Sequence, residues 1–340
     1  MKKILVMPVK NEEWIIEKTL SCASLWADHI IVADQNSTDN TREICAMFPK
    51  VKIIENKAEF HSSNVRKILL DAAREFDGFN AIFSFDADEV PTSHIFSFEL
   101  DKVLKALAPG TAIEMQWLNL WRSCDKYRDD ASVWSNSWKQ FGFIDNRVMQ
   151  YDNLNVINDH TSRVPSEATK NNSRLQFPKV LHYQFVDFER VMSKQAYNRI
   201  IEFVQRPRNF IESLKINLKY FPTKDEQDIN LKEVPQEWVD VYSLNKINFC
   251  NLQKEALTWF DLASLKKIKI FGLREFSSID IWDIPWEQKR QLAILQHSLN
   301  VPDYEIMDPR NILKKIYHNF GLGIIVKILW IKRLYEVLVN

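Results

Sequence analysis

Two carboxylates one residue apart, Asp86 and Asp88 on either side of Ala87, follow directly on the apolar run Ala81-Ile82-Phe83-Ser84-Phe85, and Glu89 comes next. Unpaired carboxylates are costly to bury, so these acids mark the place where the run reaches a surface. Taken alone an Asp-x-Asp tripeptide often just caps a helix; its position at the end of an apolar run gives it chemical meaning. Paired acids there suit Mg²⁺ or Mn²⁺, which take oxygen ligands and keep positions open for substrate phosphates. A Lewis acid so held offsets the charge that develops on a diphosphate leaving group.

Four tryptophans, Trp117, Trp121, Trp134 and Trp138, crowd a short stretch further on. Aromatic faces beside polar loops stack sugar rings or line clefts, although half or more of these four are expected in the core.

Other phosphate chemistries lack support. With six glycines the chain has neither a Gly-x-Gly-x-x-Gly turn nor a Gly-x-x-x-x-Gly-Lys loop. Lys+Arg and Asp+Glu are both 45, so no global charge excess points to nucleic acid, and none is expected as a partner. Cys22, Cys45, Cys124 and Cys250 are scattered without a paired spacing and read as reduced thiols of a cytoplasmic protein. The apolar start after Met1 is interrupted by Pro8, Lys10 and Glu12, which suits a first strand better than a cleavable signal. No run approaches the roughly 18 apolar residues of a membrane span.

The elements that must position the acids follow from periodicity. Apolar runs at 4–9, 29–33, 51–54 and 81–85 alternate with amphipathic stretches of helical length, the pattern of βα units and a mainly parallel sheet. Ligands of such sheets lie beyond the carboxyl ends of the strands. After the first run stand Lys10, Asn11, Glu12 and Glu13, with Asn11 expected to cap a helix running to about Trp26; after the second stand Asp34 to Asp39, with Ser37 or Asp39 expected to cap the next helix. Further strands are expected at 111–121, 141–151 and 179–185, with a polar, mobile loop at 152–178. Helices are expected at 192–204, 235–242 and 285–299, and a charged linker or surface excursion at 222–235.

Three segments in order, Pro8-Val9-Lys10-Asn11-Glu12, His29-Ile30-Ile31-Val32-Ala33-Asp34-Gln35-Asn36-Ser37-Thr38-Asp39-Asn40-Thr41 and Phe85-Asp86-Ala87-Asp88-Glu89, resemble the family 2 glycosyltransferases of the GT-A fold. The likeness covers roughly the first 90 residues and weakens beyond residue 110. It implies that Val9, Asn11, Glu12, Asp34 and Asp39 bracket the base and ribose of a nucleoside diphosphate sugar. It further implies that Arg66 approaches the base or phosphates, and that the donor lies along Asp86 and Ala87. Asp86 would face ribose and metal, while Asp88 would ligate Mn²⁺ or Mg²⁺ directly. His182 resembles the later histidine that completes the metal site in some of these enzymes, an acceptable Mn²⁺ ligand, with His160 the competing choice. Where the family has a second Asp and a Gly, this chain has Gln35 and Asn36.

Most of the family inverts, and an inverting transfer needs a carboxylate to take the acceptor's proton. Asp159, downstream of Arg147 much as a His-Glu pair is in similar transferases, is the choice, with Asp145 and Asp152 close by.

The expectation is therefore an α/β, GT-A-type (Rossmann-like) mixed, mainly parallel sheet flanked by helices, over residues 1–205. Residues 1–110 would bind the nucleotide sugar, 111–205 would form the acceptor side, and 206–340 would be a helical C-terminal region. The reaction would move a sugar to an acceptor hydroxyl of a glycan or lipid-linked acceptor in surface polysaccharide synthesis. Rivals are a nucleotidyltransferase acting on sugar phosphates, whose glycine-rich basic loop is missing here, and a silent transferase-like scaffold. Residues 312–339 combine Ile, Leu, Val and Trp330 with five cations, which suits either a docked helix pair or a peripheral membrane contact through 310–340 at the inner membrane face.

Overall fold

The structure, a computed structural model, describes the chain except residues 58–63, 131, 133, 136, 153–161, 207–208, 221–228, 251, 299 and 311–340. Two compact units emerge: Met1–Asp187 with Asp228–Lys254, and Phe188–Gln227 with Glu255–Asn340.

The first unit opens with β1 (Lys3–Val9), α1 (Ile16–Trp26), β2 (His29–Asp34), α2 (Thr41–Ala46), β3 (Val51–Glu55), α3 (Asn64–Ala73) and β4 (Ala81–Ser84). All four strands are mutually parallel in the order β3-β2-β1-β4. Successive side chains of a strand point to opposite faces, and both faces here are covered. On one face Leu5, Met7, Ile30, Val32 and Phe83 join Leu20 and Trp26 of α1; on the other Ile4, Val6, Ile31 and Ile82 join Val65, Leu69 and Leu70 of α3. That two-sided burial is why the runs are continuous rather than alternating.

Next come β5 (Glu89–Pro91), α4 (Phe98–Ala106), β6 (Ala112–Asn119), β7 (Lys126–Arg128), β8 (Ser137–Ile144), β9 (Asn172–Arg174) and β10 (Val180–His182). β8 enters antiparallel between β4 and β6, β10 lies parallel to β6, and β5 closes the row antiparallel to β10. Gly142 makes the β4–β8 approach possible: a Cβ there would meet the Ile82 carbonyl oxygen at 2.6 Å. The chain thus adopts the expected sheet, mixed and mainly parallel and flanked by helices.

Local details differ from the sequence expectations. The strand expected at 141–151 ends at Ile144, because Asp145 turns in to accept both Arg74 Nε at 3.0 Å and Arg74 Nη2 at 2.7 Å. Within 152–178, the described part contains the short strand β9 beside β6. In the stretch read as a linker, β11 (Leu231–Glu233) pairs antiparallel with β7, followed by the short helix α7 (Asp240–Leu244) after residues 235–239. The expectation of four reduced thiols is corrected: Cys124 and Cys250 form a disulfide across a separation of 126 residues, whereas Cys22 and Cys45 are free and buried. Nothing in their spacing signals it, since only the return of 228–254 to the first unit brings the two together.

The second unit is helical: α5 (Phe188–Gln205), α6 (Phe210–Lys219), α8 (Trp259–Phe271) and α9 (Trp286–Leu295). Ala196, Ile200, Phe203, Leu265, Ile268 and Phe276 form its core. Helix α8 starts at a reciprocal cap in which the Thr258 hydroxyl accepts from the Asp261 amide and the Asp261 carboxylate accepts from the Thr258 amide. Among the described residues no helix is long and apolar enough to cross a membrane; the tail at 311–340 lies outside them.

Candidate active site at the strand ends

Asp86, Ala87 and Asp88 sit in the turn between β4 and β5, at the carboxyl end of the parallel strands. Helix α1 holds the turn from below, the Thr19 hydroxyl donating to the Ala87 carbonyl at 2.5 Å. Register across three strands from distant parts of the chain does the rest: His182 of β10 stands opposite Glu89 of β5 on one side and Asn119 of β6 on the other. The Tyr183 amide donates to the Asp88 carbonyl at 2.8 Å, which fixes the acids against β10.

The Asn119 amide nitrogen donates to the Trp134 carbonyl at 2.6 Å, so its oxygen is the atom that meets His182 Nδ1 at 2.8 Å. His182 therefore carries its proton on Nδ1, and Nε2 is left to face Asp88 Oδ2 at 3.3 Å. A lone pair and a carboxylate oxygen repel at that distance unless a proton or a cation stands between them. Adjacent ligands of an octahedral ion with bonds of about 2.1 Å lie about 3 Å apart, so the pair fits a divalent ion with two protein ligands and positions left for phosphate and water. Among the described residues no group of three acidic, His or Cys side chains gathers around one point.

Asp86, expected to face ribose and metal, has an arginine beside each of its two oxygens: Arg163 Nη2 at 2.6 Å and Arg66 Nη2 at 3.6 Å. Burial alone would raise its carboxyl pKa, but Arg163 and then Arg66 outweigh that and hold it below its ordinary value. Its contribution to stability is therefore present above the unfolded value near 4 and is lost as pH falls through the depressed folded value. The side chain nonetheless keeps 41% exposure, enough to meet a ligand. Arg66, buried on α3, also donates to the Ser84 hydroxyl at 2.8 Å.

Glu89 is wholly buried and carries the site's scaffold. It accepts from Trp117 Nε1 at 2.8 Å, from the Asp86 amide at 2.9 Å and from Arg163 Nη2 at 2.8 Å, with Arg163 Nη1 bonded to its other oxygen. Burial would lower the Arg163 pKa, but Asp86 and Glu89 raise it beyond the usual arginine range. Glu89 was visible in the sequence as the residue after the acid pair; Arg163 and Asn119 had no local signal, because only strand register brings them in.

The loops after β1 and β2 form one polar wall. Val9 ends β1, its carbonyl taking the Gln35 amide at 2.9 Å. Asn11 does not cap α1, whose N-cap is Ile15; it takes a left-handed φ of 53°, its amide donates to the Ser37 hydroxyl and its oxygen accepts the Thr38 amide at 2.7 Å. The Glu12 amide donates to the Thr41 hydroxyl at 2.7 Å, and its carboxylate accepts from Trp14 Nε1 at 2.7 Å. Asp34 is buried and accepts the Ser37 amide at 3.3 Å, with Arg42 3.6 Å away. Asp39 accepts from the amides of Glu13 and Thr41, although the N-cap of α2 is Asn40 rather than Ser37 or Asp39. Five expected residues thus line one strand-end wall, and Arg66, Asp86, Ala87, Asp88 and His182 line the next.

Asp159 and His160 lie outside the described residues. Of the alternatives for Asp159, Asp145 is 2% exposed and bound by Arg74 and the Arg147 amide, a structural carboxylate; Asp152 bonds the Ser166 hydroxyl on the surface. Only Trp121 of the four tryptophans is buried, stacked on Phe185 at 4.8 Å; Trp134 keeps 38% exposure, and Trp117 and Trp138 are half-buried.

Residues 4–98 match the family model described as glycosyl transferase family 2. No curated protein matches the chain in sequence. Among solved structures the chain is similar to S. aureus TarS 1–349, at 13% identity and TM-score 0.38 over 87% of this chain and 92% of that one. It is also similar to the glucosyl-3-phosphoglycerate synthase of Mycobacterium tuberculosis with Mn²⁺, uridine diphosphate and glucosyl-3-phosphoglycerate, at 17% identity and TM-score 0.25 over 35% of this chain and 44% of that one. At such identities and TM-scores the likenesses bear on neither substrate nor mechanism. The segment that matches the glycosyl transferase family 2 model, residues 4–98, is the one that holds the four parallel strands, the polar wall and the acid turn.

Proposed function

We propose that the chain transfers a sugar from a nucleoside diphosphate sugar to an acceptor hydroxyl, with inversion and with a divalent cation. The observation that carries this is the Asp88 Oδ2 to His182 Nε2 pair at 3.3 Å, with the imidazole oriented by Asn119. A bound Mn²⁺ or Mg²⁺ would supply Lewis-acid stabilisation of the diphosphate. Val9, Asn11, Glu12, Asp34 and Asp39 would hold the nucleoside against the polar wall. Arg66 and Asp86 would orient the diphosphate and ribose at the floor, with the Ala87 backbone between. Asp159 would take the acceptor's proton.

The acceptor is proposed to be a glycan or lipid-linked hydroxyl of surface polysaccharide synthesis, reached at the inner membrane face through a peripheral contact of 310–340. Support for that contact is the mixture of apolar and basic residues there.

A thermal-shift panel of UDP, GDP, CDP and dTDP with Mn²⁺ tests the donor. One diphosphate is expected to stabilise the protein, by about 2.7 kcal/mol at 100 times its Kd, and chelator to remove the effect. Stabilisation by none of them would end the reading. For the base, Asp159→Asn is expected to lower kcat on the order of 100-fold while donor KM changes little. Unaltered kcat would move that role to another carboxylate.

A further inference from the structure

Lys139 projects from β8 on the face it shares with Met115 and Trp117 of β6, the residue pairs Met115/Lys139 and Trp117/Ser137 standing directly opposite each other. Its ammonium lies over the Trp117 indole, 3.2 Å from the ring centroid. That indole donates to Glu89 and lies against the His182 ring with 4.4 Å between centroids, so the amine stands at the edge of the acid and histidine cluster. Among the described residues no carboxylate forms an ion pair or hydrogen bond with it, although Glu89, Asp86 and Asp88 all act on it electrostatically. Burial, and then the Arg163 charge, lower its pKa from the usual lysine range. Covering an indole does not require a charge held at that disadvantage; a Met would do as well.

Charge balance shows what the amine is suited to meet. Among the described residues the three acids Asp86, Asp88 and Glu89 equal in number the three cations Arg66, Arg163 and Lys139, so that cluster is neutral before ligands arrive. A divalent cation and the two diphosphate charges of a sugar nucleotide leave it neutral. Transfer then adds one negative charge at the diphosphate. The bond from the sugar C1 to the β-phosphate oxygen breaks with its electron pair kept by that oxygen. The acceptor hydroxyl oxygen bonds to C1 and its proton passes to the carboxylate base. Among the described residues Arg163 and Arg66 are each paired with Asp86, whereas Lys139 has no carboxylate partner.

We infer that Lys139 binds the β-phosphate of the departing nucleoside diphosphate, and binds it more tightly than the same phosphate in the intact sugar nucleotide. This rests on the sugar-nucleotide reading above. The assignment makes Lys139 a group whose interaction grows along the reaction, the kind that raises kcat rather than lowering KM.

Calorimetric titration tests it without turnover. UDP, GDP, CDP and dTDP, and the corresponding diphosphate glucoses, are titrated with Mn²⁺ into the wild type, Lys139→Met and Lys139→Arg. Lys139→Met is expected to weaken the bound diphosphate about 10- to 100-fold, the worth of a charge-assisted hydrogen bond. The sugar nucleotide is expected to lose less than about threefold, and Lys139→Arg to recover most of the difference. Lys139→Gln gives the same comparison if the Met variant fails to fold. Equal losses for both ligands, or none, would overturn the role of Lys139 while leaving the donor reading intact; a wild type that binds none of the ligands would overturn both.

Discussion

Replacing Asp88 by Ala is expected to lower turnover on the order of 1,000-fold or more and to abolish its dependence on Mn²⁺ or Mg²⁺, while the protein stays folded. The carboxylate faces His182 Nε2 at 3.3 Å, and the imidazole cannot turn aside because Asn119 holds its other nitrogen. Without the acid, one neutral nitrogen remains, too little to hold a hard cation against water. Loss of Lewis-acid stabilisation is worth several kcal/mol at the transition state, and each 1.36 kcal/mol is about tenfold in rate. Turnover is measured as nucleoside diphosphate release across a metal titration, with circular dichroism as the check on folding. Full activity of Asp88→Ala, or of the wild type in chelator, would remove the metal mechanism. The fold should tolerate the change, since the turn is held by backbone contacts, Tyr183 amide to Asp88 carbonyl and Thr19 hydroxyl to Ala87 carbonyl, which Ala keeps.

Glu89→Ala is expected to act in the opposite manner, on stability first. Its carboxylate is wholly buried and takes bonds from Trp117 Nε1, the Asp86 amide and both terminal nitrogens of Arg163. Truncation leaves an indole N–H and a backbone N–H without this acceptor and, among the described residues, leaves Arg163 in an ion pair with Asp86 alone, 41% exposed. Removing one partner of a buried ion pair costs about 3–5 kcal/mol, and that is the expected fall in unfolding free energy by urea titration. Glu89→Gln, which keeps the shape and an acceptor oxygen, should lose less. An unchanged urea midpoint for Glu89→Ala would show that the network is replaceable by water. Turnover should fall with either substitution, because Arg163, Asp86 and Trp117 are all positioned through this one side chain.

Glu89 also shows the boundary between what was legible and what was not. Asp86 and Asp88 could be read because their meaning is local: an apolar run long enough for a strand, then acids that cannot remain inside. The polar wall was equally readable as residues, although not in its bonding. Asn11 and Asp39 look like caps by composition, yet Asn11 takes a left-handed backbone and bonds the neighbouring loop, because two adjacent strand ends satisfy each other's amides first. The strand expected to reach residue 151 stops at Ile144, since the buried Asp145 finds Arg74 some seventy residues earlier.

From its own order of residues the chain determines the parallel half of the sheet, the strand-end position of the acids and the kinship they express, for these depend on hydrophobic period and on neighbours within a few residues. Tertiary structure alone decides that Arg163 answers Asp86 and Glu89, that Asn119 sets which nitrogen His182 presents, that Lys139 lies over Trp117, and that Cys124 meets Cys250. Each of those is a pairing between segments tens of residues apart or more. It is chosen by which strands lie side by side and in what register, a property of packing energy summed over the whole sheet rather than of any segment in it.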